Sequence, residues 1–163
     1  MCKDRHTDER KTKEPEVVIR PFQGTDRDAV SEFFDQMGGE SRAFFNRDDG
    51  NRFTALKFFD EQPKDKNYFM AELNGVMVGL VFLYDMKRSI PWLGIAVREE
   101  YKGMHIGRKL MDYAASYAKS QGKGGILLTT HVSNIRGQAL YERSGYERMG
   151  MHESGEVLYL LRW

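Results

Sequence analysis

A mixed α/β fold, one sheet with antiparallel and parallel parts flanked by helices, follows from three features of the sequence. First, apolar runs at 68–73 and 76–85 flank Asn74-Gly75, the strongest short hairpin signal in the chain. Second, an apolar run at 93–97 leads through a glycine-bracketed loop into a helical stretch. There Ile106, Leu110, Tyr113, Ala114, Tyr117 and Ala118 share one face. Third, ILLTTHV at 126–132 is apolar and β-branched, as buried strands are, and a helix separates it from the run at 93–97. Strands joined through a helix run parallel, with a right-handed crossover. Antiparallel strands therefore come first and a parallel pair follows.

Composition sets the bounds. A length of 163 residues with 40% hydrophobic and 12% aromatic content suits one domain with its own core. Lys and Arg total 25 against 24 Asp and Glu, a net charge of +1, which gives no electrostatic footprint for nucleic acid or membrane. The single cysteine, Cys2, excludes an internal disulfide framework and suits a reducing cytoplasm. No apolar stretch approaches the ~20 residues of a membrane span, and the amino terminus is too polar for a signal peptide. His6, His105, His131 and His152 are scattered without metal-ligand spacing, so no metal is expected. The expectation is a soluble cytoplasmic protein, with a homodimer left open.

In chain order, residues 1–15 are polar and charged and read as a disordered tail, with one domain over 16–163. Residues 17–19 open the domain as a strand. Thr25-Asp26 offers a cap for a helix that buries Ala29, Val30, Phe33, Phe34 and Met37, and Gly38-Gly39 ends it. Residues 40–46 read as a turn of helix or a loop. Asp48-Asp49-Gly50-Asn51 is a turn cluster, and 52–60 a second helix. After the hairpin, Lys87-Arg88-Ser89 turns the chain into the strand at 90–97. Glycines at 122, 124 and 125 end the long helix. Ser133 or Asn134 caps the last helix and Gly145 stops it. Strands at 146–152 and 157–161 close the chain around Ser154-Gly155.

Chemistry concentrates in the loop Lys102-Gly103-Met104-His105-Ile106-Gly107 and in Arg108 after it. Backbone N–H groups in the first turn of a helix lack intrahelical acceptors and sit at the positive end of the macrodipole. Small residues there let an anion approach, so the loop is built for phosphate. Neither G-x-x-x-x-G-K-[ST] nor G-x-G-x-x-G is present. The loop resembles the signature Arg/Gln-x-x-Gly-x-Gly/Ala of the GNAT acyl-CoA N-acyltransferases, with Lys102 for the usual Arg or Gln and His105 for a usual glycine. A second stretch, 134–146, resembles that family's Asn-x-x-Ala-x-x-Leu/Phe-Tyr-Glu-x-x-Gly-Phe/Tyr. Asn134, Leu140, Tyr141, Glu142, Gly145 and Tyr146 match, and Gly137 replaces the alanine. The order of elements over 17–163 is also that family's.

The resemblance implies transfer of acetyl from acetyl-CoA, as co-substrate, to a primary amine by direct attack in a ternary complex. Backbone groups of Ile95 and Val97, with Ala96 between them, would pair with pantetheine as an added strand. Gly103, Met104, His105, Ile106 and Gly107 would hold the diphosphate, and Lys102 and Arg108 would add charge. Tyr141 is either the acid that protonates the leaving thiolate or a packing residue, and Asn134 a cofactor contact, a helix cap, or both. Glu40, Phe44 and Asp85 are the candidate acceptor-binding residues. The general base stays open among Glu72, Asp85 and Glu40, because the glutamate that ribosomal-protein acetylating relatives carry five residues before the asparagine is Thr129 here. A small-molecule amine or a peptide amine fits as acceptor. A non-catalytic acyl-CoA-binding module and a nucleotide-binding α/β domain are the competing readings.

Overall fold

Asn74 and Gly75 both adopt left-handed backbone, with φ of 52° and 79°, the pair of conformations a tight two-residue hairpin turn needs. The turn joins β2 (Asn67–Leu73) to β3 (Val76–Tyr84), setting Leu73 opposite Val76. The structure, a computed structural model, describes residues 16–163, so the tail expected over 1–15 lies outside the described residues. β1 (Val18–Pro21) pairs antiparallel with β2, and β4 (Trp92–Val97) antiparallel with β3. β4, α4 (Ile106–Ser120) and β5 (Gly125–Thr130) form the strand–helix–strand unit, and β5 runs parallel to β4. α5 (Ile135–Arg143) then leads to β6 (Glu147–Met151) and β7 (Val157–Arg162). β7 inserts between β5 and β6, giving one seven-stranded mixed sheet in the order β1-β2-β3-β4-β5-β7-β6.

Side chains of successive strand residues point to opposite faces, and each face has its own core. Phe69, Ala71, Leu83 and Leu93 meet Ile106, Leu110 and Ala114 of α4 and Tyr141 of α5. On the other face Tyr68, Met70, Leu80, Phe82 and Ala96 meet Val30, Phe33 and Phe34 of α1 (Arg27–Asp35), with Ala55 of α3 (Gly50–Glu61). Among the described residues no helix is long and apolar enough to cross a membrane.

The structure departs from the sequence expectation in detail. Asp26 is not a side-chain cap for α1; its carboxylate accepts two bonds from Arg20, at 2.7 and 2.8 Å, and one from the Gln23 N–H at 2.7 Å. Those bonds from Arg20, against the opposing effect of burial, hold the Asp26 carboxyl below the usual carboxylate range. Residues read as a turn of helix or a loop form the helix α2 (Gly39–Phe44), entered through Gly39 at φ 56°. β4 begins at Trp92, after a proline that has no N–H for the ladder. β5 stops at Thr130, where the chain turns and the Ser133 N–H donates to His131 Nδ1 at 3.0 Å.

Candidate active site

The parallel strands β4 and β5 share a single registered pair, Trp92 with Leu127, and part beyond it. The Arg98 N–H donates to the Val78 carbonyl at 2.9 Å, which sets the phase of the β3–β4 ladder. Even-numbered residues of β4 bond to β3, and the peptide groups of Ile95 and Val97 face the gap. A cleft of about 380 Å³ runs through this gap. Tyr141, Asn134 and Leu128 line it from the α4–α5 face of the sheet, and Phe44, Phe45, Phe82 and Tyr84 from the α1–α3 face. Gly94 makes the passage possible: Phe82 lies directly opposite it on β3, and a Cβ on Gly94 would stand 2.4 Å from the Phe82 ring.

At the open end of β4 the chain passes a 3-10 turn, Glu99–Tyr101, and enters the loop before α4. The loop is shaped by two left-handed residues, Gly103 at φ 86° and His105 at φ 62°, the latter as N-cap of α4. The N–H of Lys102 donates to Glu99 and that of Lys109 to His105. Between them, among the described residues, the six N–H groups from Gly103 to Arg108 have no protein acceptor. Unpaired N–H groups at a helix start are the donors an anion can use. His105 occupies its left-handed position at a steric cost that glycine avoids. His105→Gly is therefore expected to raise the unfolding free energy by about 1 kcal/mol. A urea titration that shows a loss instead would mean that the imidazole makes a contact outweighing the strain.

Tyr141 lies near the end of α5 with 7% of its surface exposed. Burial pushes its phenol up to about 12, and the charge of Glu156 adds to the effect, while the Thr130 hydroxyl pulls the other way. The side chain is therefore a neutral O–H donor throughout the physiological range. Asn134 caps α5, its Oδ1 accepting from Gly137 N–H at 3.1 Å and its Nδ2 donating to Thr130 Oγ1 at 3.0 Å. The cap fills the space beside Gly137, where a Cβ would fall 2.3 Å from Asn134 Nδ2.

Residues 29–146, more than half of the chain, match the acetyltransferase (GNAT) family. The chain belongs to that family. An uncharacterized N-acetyltransferase of Methanocaldococcus jannaschii is 27% identical over 155 residues, spanning 89% of this chain and 90% of that protein. The PaiA N-acetyltransferase of Thermoplasma acidophilum, solved in complex with coenzyme A, superposes with a TM-score of 0.70 at 15% identity, over 91% of this chain and 99% of that one. The ribosomal-protein-S18-alanine N-acetyltransferase of Escherichia coli superposes with a TM-score of 0.68 at 18% identity, over 90% and 94% of the two chains. These two likenesses show the GNAT fold. The protein is thus a GNAT acetyltransferase, of a family that uses acetyl-CoA.

Within this GNAT site the residues singled out from sequence are spread unevenly. Ile95, Asn134, Tyr141 and Phe44 line the cleft. Val97 stands at the open end of β4, where its carbonyl accepts the Ser41 hydroxyl at 3.0 Å, and Ala96 turns its side chain into the α1–α3 core. Lys102 reaches Glu99 at 2.7 Å and Glu40 at 3.9 Å, on the α2 side of the loop. Arg108 donates to Asp112 at 3.1 Å and to the Arg143 carbonyl at 2.8 Å, across the α4–α5 surface. Gly107 is the close approach of α4 to α5, since a Cβ there would meet Leu140 at 3.0 Å. Met104 is exposed at the loop tip. Glu40 and Asp85 lie outside the cleft lining, Asp85 being 3.9 Å from Arg88, and Glu72 pairs with Arg20 at 2.5 Å.

Sequence reasoning missed Lys66, Phe82, Tyr84, His131 and Glu156, all of which line the cleft. His131 had a usable signal as the first polar residue after a buried strand, where side chains reach sites at strand ends. Its ring stacks on Phe44 at 5.2 Å between centroids, and Nδ1 accepts from Ser133 N–H, so the neutral ring carries its proton on Nε2.

Proposed function

We propose that this GNAT acetyltransferase transfers the acetyl group of acetyl-CoA to the primary amine of a small molecule or peptide, by direct attack in a ternary complex. The single observation that carries the reading is the run of six N–H groups from Gly103 to Arg108 without protein acceptors, placed beside the stretch of β4 that has no ladder partner beyond Trp92. A diphosphate suits the first and an amide-containing arm the second. The arm then runs along Ile95 and Val97 toward Tyr141, and the acceptor enters from the aromatic face.

The thioester supplies the acyl group and a thiolate leaving group. A lysine-like amine, with a pKa of about 10.4, is mostly protonated at neutral pH and has to lose that proton before it attacks. Tyr141 serves the other end of the reaction. A phenol at about 12 lies roughly 3.5 units above a parent thiol at about 8.5, so full proton transfer to the thiolate is uphill by about 5 kcal/mol. Its role is accordingly to donate a hydrogen bond to charge that develops at the sulfur while keeping its own proton, and the released thiolate takes a proton from solvent. Asn134 acts by fixing the start of α5, and with it the direction of Tyr141.

The test is a charge placed at the loop tip. Met104→Glu changes an exposed residue and should weaken acetyl-CoA binding at least tenfold, about 1.4 kcal/mol, with the melting temperature unchanged. Unaltered affinity by calorimetry would remove the diphosphate from this loop. Thiol release across a panel of primary amines then reports transfer, since a binding module takes up acetyl-CoA but releases no free thiol.

A further inference from the structure

The cleft between β4 and β5 opens outward into a second cavity of about 590 Å³, walled by the 46–50 loop and the turn between β6 and β7. Phe44, Phe45, Asn51, Thr54, His131 and Glu156 line both and mark their junction. Glu156 is the one carboxylate among the residues lining the inner cleft. Its position is set by the backbone: the His152 N–H donates to its carbonyl at 2.8 Å. The next residue, Val157, is buried opposite Thr130 at the start of β7. Among the described residues its carboxylate makes neither an ion pair nor a hydrogen bond, although the residue is half-buried.

We propose that Glu156 seats the acceptor: its carboxylate takes the ammonium group of a cationic amine whose apolar body lies against Phe44, Phe45, Phe82 and Tyr84. The seat names the acceptor class for the acetyl transfer proposed above and rests on that reading. A half-buried carboxylate without a protein partner is free to take a cation, and aromatic faces around the same space attract that cation further. The other polar groups of the inner cleft serve an ammonium less well. Lys66 repels it. His131 has its Nδ1 occupied by Ser133 N–H and presents a donor at Nε2. Asn51 donates its Nδ2 to the Phe45 carbonyl and offers an ammonium only a neutral oxygen, without charge. Glu156 also faces the reacting end: after burial, its charge is among the causes that push the hydroxyls of Tyr84 and Tyr141 upward. An ammonium held there stands within the electrostatic reach of Tyr141.

The probes are 2-phenylethylamine and its neutral counterpart 2-phenylethanol, titrated into the full chain saturated with coenzyme A. The wild type should bind the amine at least tenfold more tightly than the alcohol. Glu156→Gln should lose at least tenfold for the amine, with the alcohol and coenzyme A unaffected, and Glu156→Asp should keep the preference for the amine. The Asp variant also stands in if the Gln variant fails to fold, and its loss of the preference while folded overturns the seat. Equal amine affinity in wild type and Glu156→Gln overturns it as well, as does a wild type that prefers neither probe. In turnover, Glu156→Gln should raise KM for the amine and leave KM for acetyl-CoA alone. A fall in kcat at constant amine KM would make the carboxylate a proton carrier rather than a seat and overturn the proposal. If the charge-dependent binding holds while no amine is acetylated, the seat stands and the acetyl-transfer reading falls.

Discussion

Tyr141→Phe should lower kcat about 100-fold while KM for acetyl-CoA barely moves. Removing one hydrogen-bond donor aimed at developing charge costs roughly 10²–10³ in rate, and the lower edge applies to a donor whose phenol at about 12 is a weak acid. Phenylalanine keeps the ring between Tyr146 and Tyr159, whose centroids lie 6.3 and 5.8 Å away, so packing is preserved. The pH profile adds an independent mark. The donor must be protonated to work, and its raised pKa means that it is lost only as pH rises through about 12. Between pH 6 and 10 the ratio of wild-type to variant kcat should therefore be flat. A ratio that falls steeply near pH 8 would assign the titrating donor to another group. Near-full activity of Tyr141→Phe, with chemistry shown to limit the rate, would leave the tyrosine as a packing residue.

What could be read from the chain beforehand was whatever depends on local pattern. Asn74-Gly75 announces the β2–β3 hairpin because few other dipeptides accept two successive left-handed conformations. The single-face periodicity from Ile106 to Ala118 announces α4, whose Ile106, Leu110, Ala114 and Ala118 are all buried. His105 stands where the family signature carries a glycine, and the position does take positive φ. Of the part of the cleft that the proposal gives to the acceptor, Phe44 alone was singled out beforehand. Phe82 and Tyr84 read as strand core, and only the parting of β4 from β5 opens the space beside them. Glu156 sits more than 70 residues from them in sequence and reaches the cleft because β7 inserts beside β5, a topological event with no local signature. Lys102 and Arg108 show the converse. Their charge suggested phosphate, and these long flexible side chains rest here on Glu99 and the Arg143 carbonyl, contacts that no sequence pattern announces.

Gly94→Ala should damage stability and acceptor use together. The new methyl group would stand 2.4 Å from the Phe82 ring, well inside contact distance. Phe82 has little room to give, since it stacks on Tyr68 at 5.2 Å and meets Phe45 at 6.1 Å. Overpacking of this kind costs about 1–3 kcal/mol, readable as a lower urea midpoint at constant slope. Phe82 lines the cleft between β4 and β5, so a displaced ring can take up space that the proposed acceptor route uses. The kcat/KM for the amine should thus fall at least tenfold, while affinity for coenzyme A, which the proposed site holds mainly through the N–H groups from Gly103 to Arg108, changes little. Shortening the opposing side chain supplies the control. Phe82→Leu in the Gly94→Ala background should recover part of the stability, because the two substitutions share one contact and are not additive. If Gly94→Ala keeps both its urea midpoint and its amine kcat/KM, then β4 and β3 shift apart freely at this point and Phe82 does not define the passage.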